Sequence, residues 1–202
     1  MNKQRKVEDR RIQRTRALLQ NALVSLMIEK AYESITVQEI IDRANVGRAT
    51  FYAHFADKES LLTSRLEDLR ATLLRHQREA LSSGNGIRTF SFSRAMLEHA
   101  SDSLTLWRGI AGKESGTFVM ARIQDMLAEL VRNDVAALGL TRKSPDREAL
   151  VQHLAGGFIA LMVWWLNEGK QLSVEEIDGR FTRLALHGLA AFLPTAQVRR
   201  VR

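Results

Sequence analysis

Apolar residues recur along most of this chain at intervals of three and four, and no alternation of period two lasts for more than a few positions. That spacing gathers apolar side chains on one side of a helix, whereas a half-buried strand needs strict alternation. Breakers are scarce, with only two prolines in 202 residues, and the apolar residues are Leu, Ala, Ile and Met more often than aromatics. The expected fold class is all-α.

The spacing predicts a first helix over about residues 7 to 30, carrying Ile12, Leu19, Leu23, Leu26 and Met27 on its apolar side. Thr36 and Glu39 stand at capping-box separation, so a second helix is expected to begin at Thr36 and to carry Val37, Ile40, Ile41 and Ala44. The run Asn45-Val46-Gly47 reads as a tight turn, with a short third helix over residues 48 to 54. Asp57 is placed to cap a long fourth helix bearing Leu62, Leu66, Leu69 and Leu73. The run Ser82-Ser83-Gly84-Asn85-Gly86 marks the expected domain boundary. Five further helices are expected over roughly 88–100, 103–111, 115–138, 146–168 and 173–193, with Ser144-Pro145 and Ser173-Val174-Glu175-Glu176 as start signals. These readings divide the chain into a head (1–56), a connecting helix (57–82) and a C-terminal domain (83–202).

Charge is distributed unevenly. Lys3, Arg5, Lys6, Arg10, Arg11, Arg14 and Arg16 face only Glu8 and Asp9 within the first sixteen residues, and Arg199, Arg200 and Arg202 close the chain. The whole net charge of +7 sits at these two ends. A basic arm beside a helical head is what contact with phosphates requires, while a charge run taken alone reads as a solubilising tail. No cysteine occurs, so disulfides, thiolate metal sites and cysteine nucleophiles are excluded. The basic start has no apolar stretch of a signal peptide, and Leu154 to Leu166 is too short to span a bilayer, so no membrane segment is expected and a cytoplasmic protein is.

Two short helices joined by a glycine-containing turn fit a helix-turn-helix, whose second helix enters the major groove. In Arg48-Ala49-Thr50-Phe51-Tyr52-Ala53-His54-Phe55, Phe51 and Phe55 lie four apart and share one buried face. Arg48, Thr50, Tyr52 and His54 cannot all join them. They offer a guanidinium, a hydroxyl, a phenol and an imidazole, the groups that contact bases and phosphates. A helix with only a structural role rarely leaves tyrosine and histidine outside together.

The gapless run from Thr36 to Leu62 resembles the DNA-binding segment of the tetracycline-repressor (TetR/AcrR) family: a threonine-led helix, a turn ending Val-Gly, then Thr-Phe-Tyr-Ala-His-Phe and Lys-x-x-Leu-Leu. The resemblance implies an all-helical homodimer with a three-helix head, a fourth helix as connector, and a C-terminal helical domain for effector binding and dimerisation. Carried over by position, it implies DNA contacts at Arg16, Thr36, Val37, Gly47, Arg48, Ala49, Thr50, Tyr52, His54 and Lys58. Thr36 would donate to a phosphate, Arg48 and Thr50 would read base edges with Ala49 against the groove, and Tyr52, His54 and Lys58 would hold phosphates. Gly47 would let the helix start approach the backbone, and Arg16 with the residues before it would extend towards the adjacent groove.

The implied function is a sequence-specific transcription regulator on a pseudo-palindromic operator in double-stranded DNA, a repressor released by an unknown small-molecule effector. A helical interaction module or co-activator whose main partner is another protein is the competing reading. No nucleotide-binding glycine loop, nucleophile elbow or zinc-protease motif occurs; the histidines are scattered, and neither catalysis, a metal nor a cofactor is expected. The segment Leu154 to Leu166 is apolar all round and is expected to be enclosed by protein. Trp107, Phe118, Met126, Phe158, Met162 and Trp165 are candidates to line a ligand pocket, although such a Met and aromatic set is more often plain core.

Overall fold

The computed structural model describes residues 2–82, 90–111, 117–169 and 171–190. Every regular element among them is helical: α1 (Asn2–Glu29), a 3-10 turn (Tyr32–Ser34), α2 (Val37–Ala44), α3 (Arg48–His54), α4 (Lys58–Ser82), α5 (Phe92–Asp102), α6 (Leu104–Ala111), α7 (Thr117–Ala137), α8 (Pro145–Asn167) and α9 (Val174–Ala190). The chain forms two compact units. One comprises Met1–Leu69 with Gly109–Val119, the other Arg70–Arg108 with Met120–Arg202. The division therefore falls inside α4 and not at the Ser/Gly run after it, most of which lies outside the described residues. Composition marks where a helix stops, whereas a compact unit is set by where the packing changes.

In the first unit α1 starts at Asn2, earlier than the periodicity of its apolar face predicts. Asn2 to Lys6 contain no glycine or proline and are mostly good helix formers, so the helix continues without a stripe to bury. Leu19, Leu23, Leu26 and Met27 are buried as expected, but Ile12 is exposed. The Thr36 capping box forms: its hydroxyl accepts from the Glu39 amide, and the Glu39 carboxylate accepts from the Thr36 amide at 2.9 Å. Helix α2 stops because Asn45 adopts the left-handed conformation at φ 52° and the Val46 amide reaches back to the Ile41 carbonyl. The backbone demand expected at Gly47 thus falls on Asn45. Gly47 has an ordinary φ of −74°, and a Cβ there would meet nothing nearer than the Thr50 hydroxyl at 3.8 Å. Asp57 caps α4, accepting from the Ser60 amide at 2.7 Å.

The core of the second unit is aromatic. Phe92 and Phe158 sit edge to face at 5.7 Å, Phe158 and Phe181 at 4.8 Å, and Phe90 and Phe181 at 5.8 Å. Phe90 is held at φ 62°, a conformation that costs a non-glycine residue about 1–3 kcal/mol and persists only when its surroundings over-determine it. Its carbonyl accepts from the Ser93 amide and hydroxyl, and its amide donates to the carboxylate of Asp134. Ser144 and Pro145 start α8, and the Ser173 box starts α9, both as expected. Past the end of α8 the Trp165 indole donates to the Leu172 carbonyl, and Gly169 lies so close that a Cβ would stand 2.9 Å from the Trp165 backbone. Arg108 closes the same end by donating twice to the Leu166 carbonyl.

Helix α8 departs from expectation in two ways. It runs for 23 residues, so by length and composition it could cross a membrane, although the apolar stretch read from the sequence was too short. Nor is it enclosed on every side. Leu154, Phe158, Met162 and Trp165 are buried, whereas Gly157, Ala160 and Trp164 form an exposed stripe. Among the apolar residues of the last helix, Ile177 and Phe181 are buried and Leu184 is 70% exposed; the Leu189 side chain and Phe192 lie outside the described residues.

Asp134 is 3% exposed, one of its carboxylate oxygens has no hydrogen-bond partner, and burial pushes its carboxyl up to about 7. Below about pH 4 the folded and unfolded chains both carry this proton. Between about 4 and 7 only the folded chain keeps it, so stability is lost as pH rises through that window and the loss is complete above it. Raising the pH from 5 to 8 is expected to lower the unfolding free energy by about 2–3 kcal/mol. In Asp134→Asn that dependence should largely vanish, as measured by urea titration at a series of pH values.

Candidate nucleic-acid interface

Helix α3 is seven residues long, and two of its side chains fix its orientation. Phe51 is fully buried and Phe55 nearly so, their rings 6.1 Å apart, and both lie in the first unit's core. With 100° of turn per residue, the other side chains are forced outward. Arg48, Ala49, Thr50 and Tyr52 form a continuous solvent-facing surface, on which the Arg48 guanidinium lies over the Tyr52 ring at 5.6 Å. Tyr52 remains 47% exposed, a large amphipathic ring that the fold leaves in water. Gly47 is exposed at the start of this surface.

The start of α2 supplies a second exposed group. The Thr36 hydroxyl is in solvent, donating to Glu39 at 2.9 Å, and Val37 beside it is half-buried. Glu39 also pairs with Lys30, and these bonds hold its carboxyl at about 2. Arg43 makes a two-pronged bond to Glu29, at 2.8 and 2.9 Å, which braces α2 against α1. None of these braces was read from the sequence. Their signal was present only as oppositely charged residues whose pairing depends on how the helices pack.

Two expected contacts are placed differently. Arg16 does not extend away from the head: its guanidinium donates to the Ser64 hydroxyl at 2.7 Å and lies 4.9 Å over the Phe55 ring. Arg16 and the half-buried His54 line one open cleft of about 490 Å³ with Asp57, Glu59 and Glu67. Lys58 points inward. Its ammonium donates to the carbonyls of Tyr32, Glu33 and Ile35 at 3.0, 2.9 and 2.8 Å and lies 4.7 Å from the Tyr32 ring. All three of its donors are engaged, so a phosphate would have to displace a backbone carbonyl.

The pocket candidates also separate. Trp107, Met126, Phe158, Met162 and Trp165 are buried in the second unit, where Phe158 is enclosed by its aromatic neighbours and the Trp107 indole nitrogen has no hydrogen-bond partner. Phe118 belongs to the first unit, its ring parallel to that of Tyr32 at a centroid distance of 5.5 Å.

A three-helix head with an exposed second helix after a tight turn, followed by an all-helical C-terminal region, defines a helix-turn-helix regulator. Comparison with known proteins makes the assignment narrower. Residues 19–64 match the model of bacterial regulatory proteins of the tetR family, and residues 89–187 match that of a transcriptional regulator C-terminal region. Together the two matched stretches cover most of the chain. The chain belongs to the TetR family of transcriptional regulators. Over 69 residues it is 42% identical to an uncharacterised HTH-type transcriptional regulator, YxbF, of Bacillus subtilis (strain 168), covering 34% of this chain and 18% of that protein. The chain thus spans less than a fifth of that relative's length. A TetR transcriptional regulator from Streptococcus agalactiae 2603V is similar in structure with a TM-score of 0.60 and 27% identity, over 89% of this chain and 98% of that one. The Thermus thermophilus repressor FadR, solved in complex with lauroyl-CoA, matches with a TM-score of 0.56 at 20% identity, over 86% of this chain and 94% of its own.

Thr36 unites the cap of α2 with this surface, and its two roles can be separated. Thr36→Ala is expected to cost about 1 kcal/mol through loss of the cap, while Thr36→Ser retains the hydroxyl and costs less. Thermal unfolding of the two variants checks this.

Proposed function

We propose that this chain is a sequence-specific DNA-binding transcription regulator that acts as a homodimer on a pseudo-palindromic operator and answers to a small-molecule effector. The observation that carries the reading is the α3 surface, on which Arg48, Ala49, Thr50 and Tyr52 are exposed because Phe51 and Phe55 anchor the other side. Arg48 and Thr50 read base edges, and Ala49 lies against the groove. Tyr52, His54 and Thr36 hold phosphates, the last after exchanging its bond to Glu39 for one to the backbone, with Val37 packed beside it. Gly47 leaves the approach to the phosphate chain open, and the basic residues at the start of α1 add the sequence-independent attraction. Arg16 and Lys58 act from behind this surface, as braces. A mobility-shift titration on palindromic sequences tests the reading, and the absence of salt-sensitive binding would remove it.

For the dimer, support comes from the exposed stripe Gly157, Ala160 and Trp164 on α8 and the exposed Leu184 and Gly188 on α9. A Cβ at Gly157 or Gly188 would meet nothing within 4 Å, so both positions permit close helix approach by a second copy. For the effector, support is the buried, unpartnered indole N–H of Trp107, a polar atom suited to an acceptor on a bound molecule. Met126, Met162 and Trp165 are the flexible and aromatic walls proposed beside it. The FadR complex gives the fold a precedent for holding a small molecule.

Arg48→Ala is expected to relax preference at one base pair in each half-site and to cost about 1–3 kcal/mol on the preferred operator, read by competition among operator variants. Light scattering should give a dimer mass at micromolar concentration, and Leu184→Glu should shift it towards monomer. A wild-type monomer would overturn the proposed interface.

A further inference from the structure

The Lys58 ammonium is tied to three carbonyls within four residues, those of Tyr32, Glu33 and Ile35, and the next residue is Thr36, which caps α2. An ammonium offers three donors, so this is a full complement, and the stem passes against the Tyr32 ring. Hydrogen bonds from a charged donor are among the stronger ones a fold can make. They hold the 3-10 turn that delivers the chain to α2, and with it the direction in which Thr36 and the first amides of α2 point. The Tyr32 ring, 6% exposed, is also stacked on Phe118 at 6° between planes. Phe118 stands in the first turn of α7, a continuous 21-residue helix. One aromatic ring is therefore in contact with the cation that fixes the turn and with a residue more than eighty positions further along the chain.

We propose that Lys58, Tyr32 and Phe118 form a positioning lock: Lys58 sets the start of α2 without touching DNA, and Phe118 is the member through which displacement of the first turn of α7 loosens that setting. The lock deepens the DNA-binding reading and rests on it for its consequence. A shift at Phe118 removes the support under Tyr32, the carbonyl cage relaxes, and Thr36 loses its register towards a phosphate while α3 keeps its anchors. The affinity for all sequences then falls together, because Arg48 and Thr50 are unaffected.

The test uses the full chain as Lys58→Gln, Phe118→Ala, Phe118→Tyr and the Lys58→Gln/Phe118→Ala double variant, with two readouts. In the protein alone, amide hydrogen exchange is followed at Ile35 and Ile40, whose amides are bonded to the Tyr32 and Thr36 carbonyls, and at Leu23 in the body of α1. The lock requires exchange at Ile35 and Ile40 to rise about tenfold in both single substitutions, with Leu23 unchanged and the double variant no faster than the faster single one. Phe118→Tyr keeps the ring and should match the wild type. In the second readout, Lys58→Gln should weaken binding to DNA while leaving the log–log salt slope unchanged. A phosphate contact would instead reduce that slope by about 0.9. The lock is overturned if the slope falls by that amount with exchange unaltered, if Phe118→Ala leaves Ile35 and Ile40 as in the wild type, or if Leu23 accelerates equally. A wild-type chain that binds no DNA would remove the proposed function, while the exchange readout would still decide whether the lock exists.

Discussion

A helix of seven residues does not persist in water by itself, because nucleation costs more than so short a ladder of hydrogen bonds returns. Helix α3 exists because Phe51 and Phe55 are drawn into the core beneath it. That burial has a second effect of equal weight. It fixes the rotation of the helix about its own axis, and with two positions assigned to the core, Arg48, Ala49, Thr50 and Tyr52 have only solvent to face. The candidate interface is thus the complement of a hydrophobic anchoring decision, and the polar residues themselves do nothing to choose their direction.

The cations of the head divide into two groups that the charge count does not distinguish. Arg16, Lys30, Arg43 and Lys58 are turned to other parts of the same unit, on Ser64, Glu39, Glu29 and three backbone carbonyls. They hold the helices in register and contribute little field beyond the surface. Arg48 differs, lying exposed over an exposed ring. Arg10, Arg11 and Arg14 on α1 are likewise exposed, so the field beyond the surface comes from these cations and Arg48 rather than from the four that brace the helices.

Most of the helices were legible because their signals are local: capping boxes at Thr36 and Ser173, Ser144-Pro145 ahead of α8, and Asp57 ahead of α4. The outward face of α3 was legible for the same reason, since the separation of Phe51 and Phe55 already determines it. What could not be read depends on contacts between distant segments. The inward turn of Lys58 requires knowing that the 3-10 turn lies against the start of α4, and the stacking of Phe118 requires knowing that it meets Tyr32. Leu184 is apolar by type, whereas its exposure follows from the rotation of α9 that buries Ile177 and Phe181. At Gly47 the residue suggested an unusual backbone, and Asn45, two residues earlier, adopts the left-handed conformation instead.

The residues proposed to read bases are those on which the fold depends least. Arg48, Ala49 and Thr50 bury nothing, cap nothing and close no bridge between helices, while the aromatic anchors Phe51 and Phe55 lie on neighbours that face inward. A gene copy could therefore exchange these three side chains without first acquiring a compensating change elsewhere. Such a head behaves as a fixed chassis with a replaceable reading edge, so its lineage can diverge in target sequence faster than in architecture.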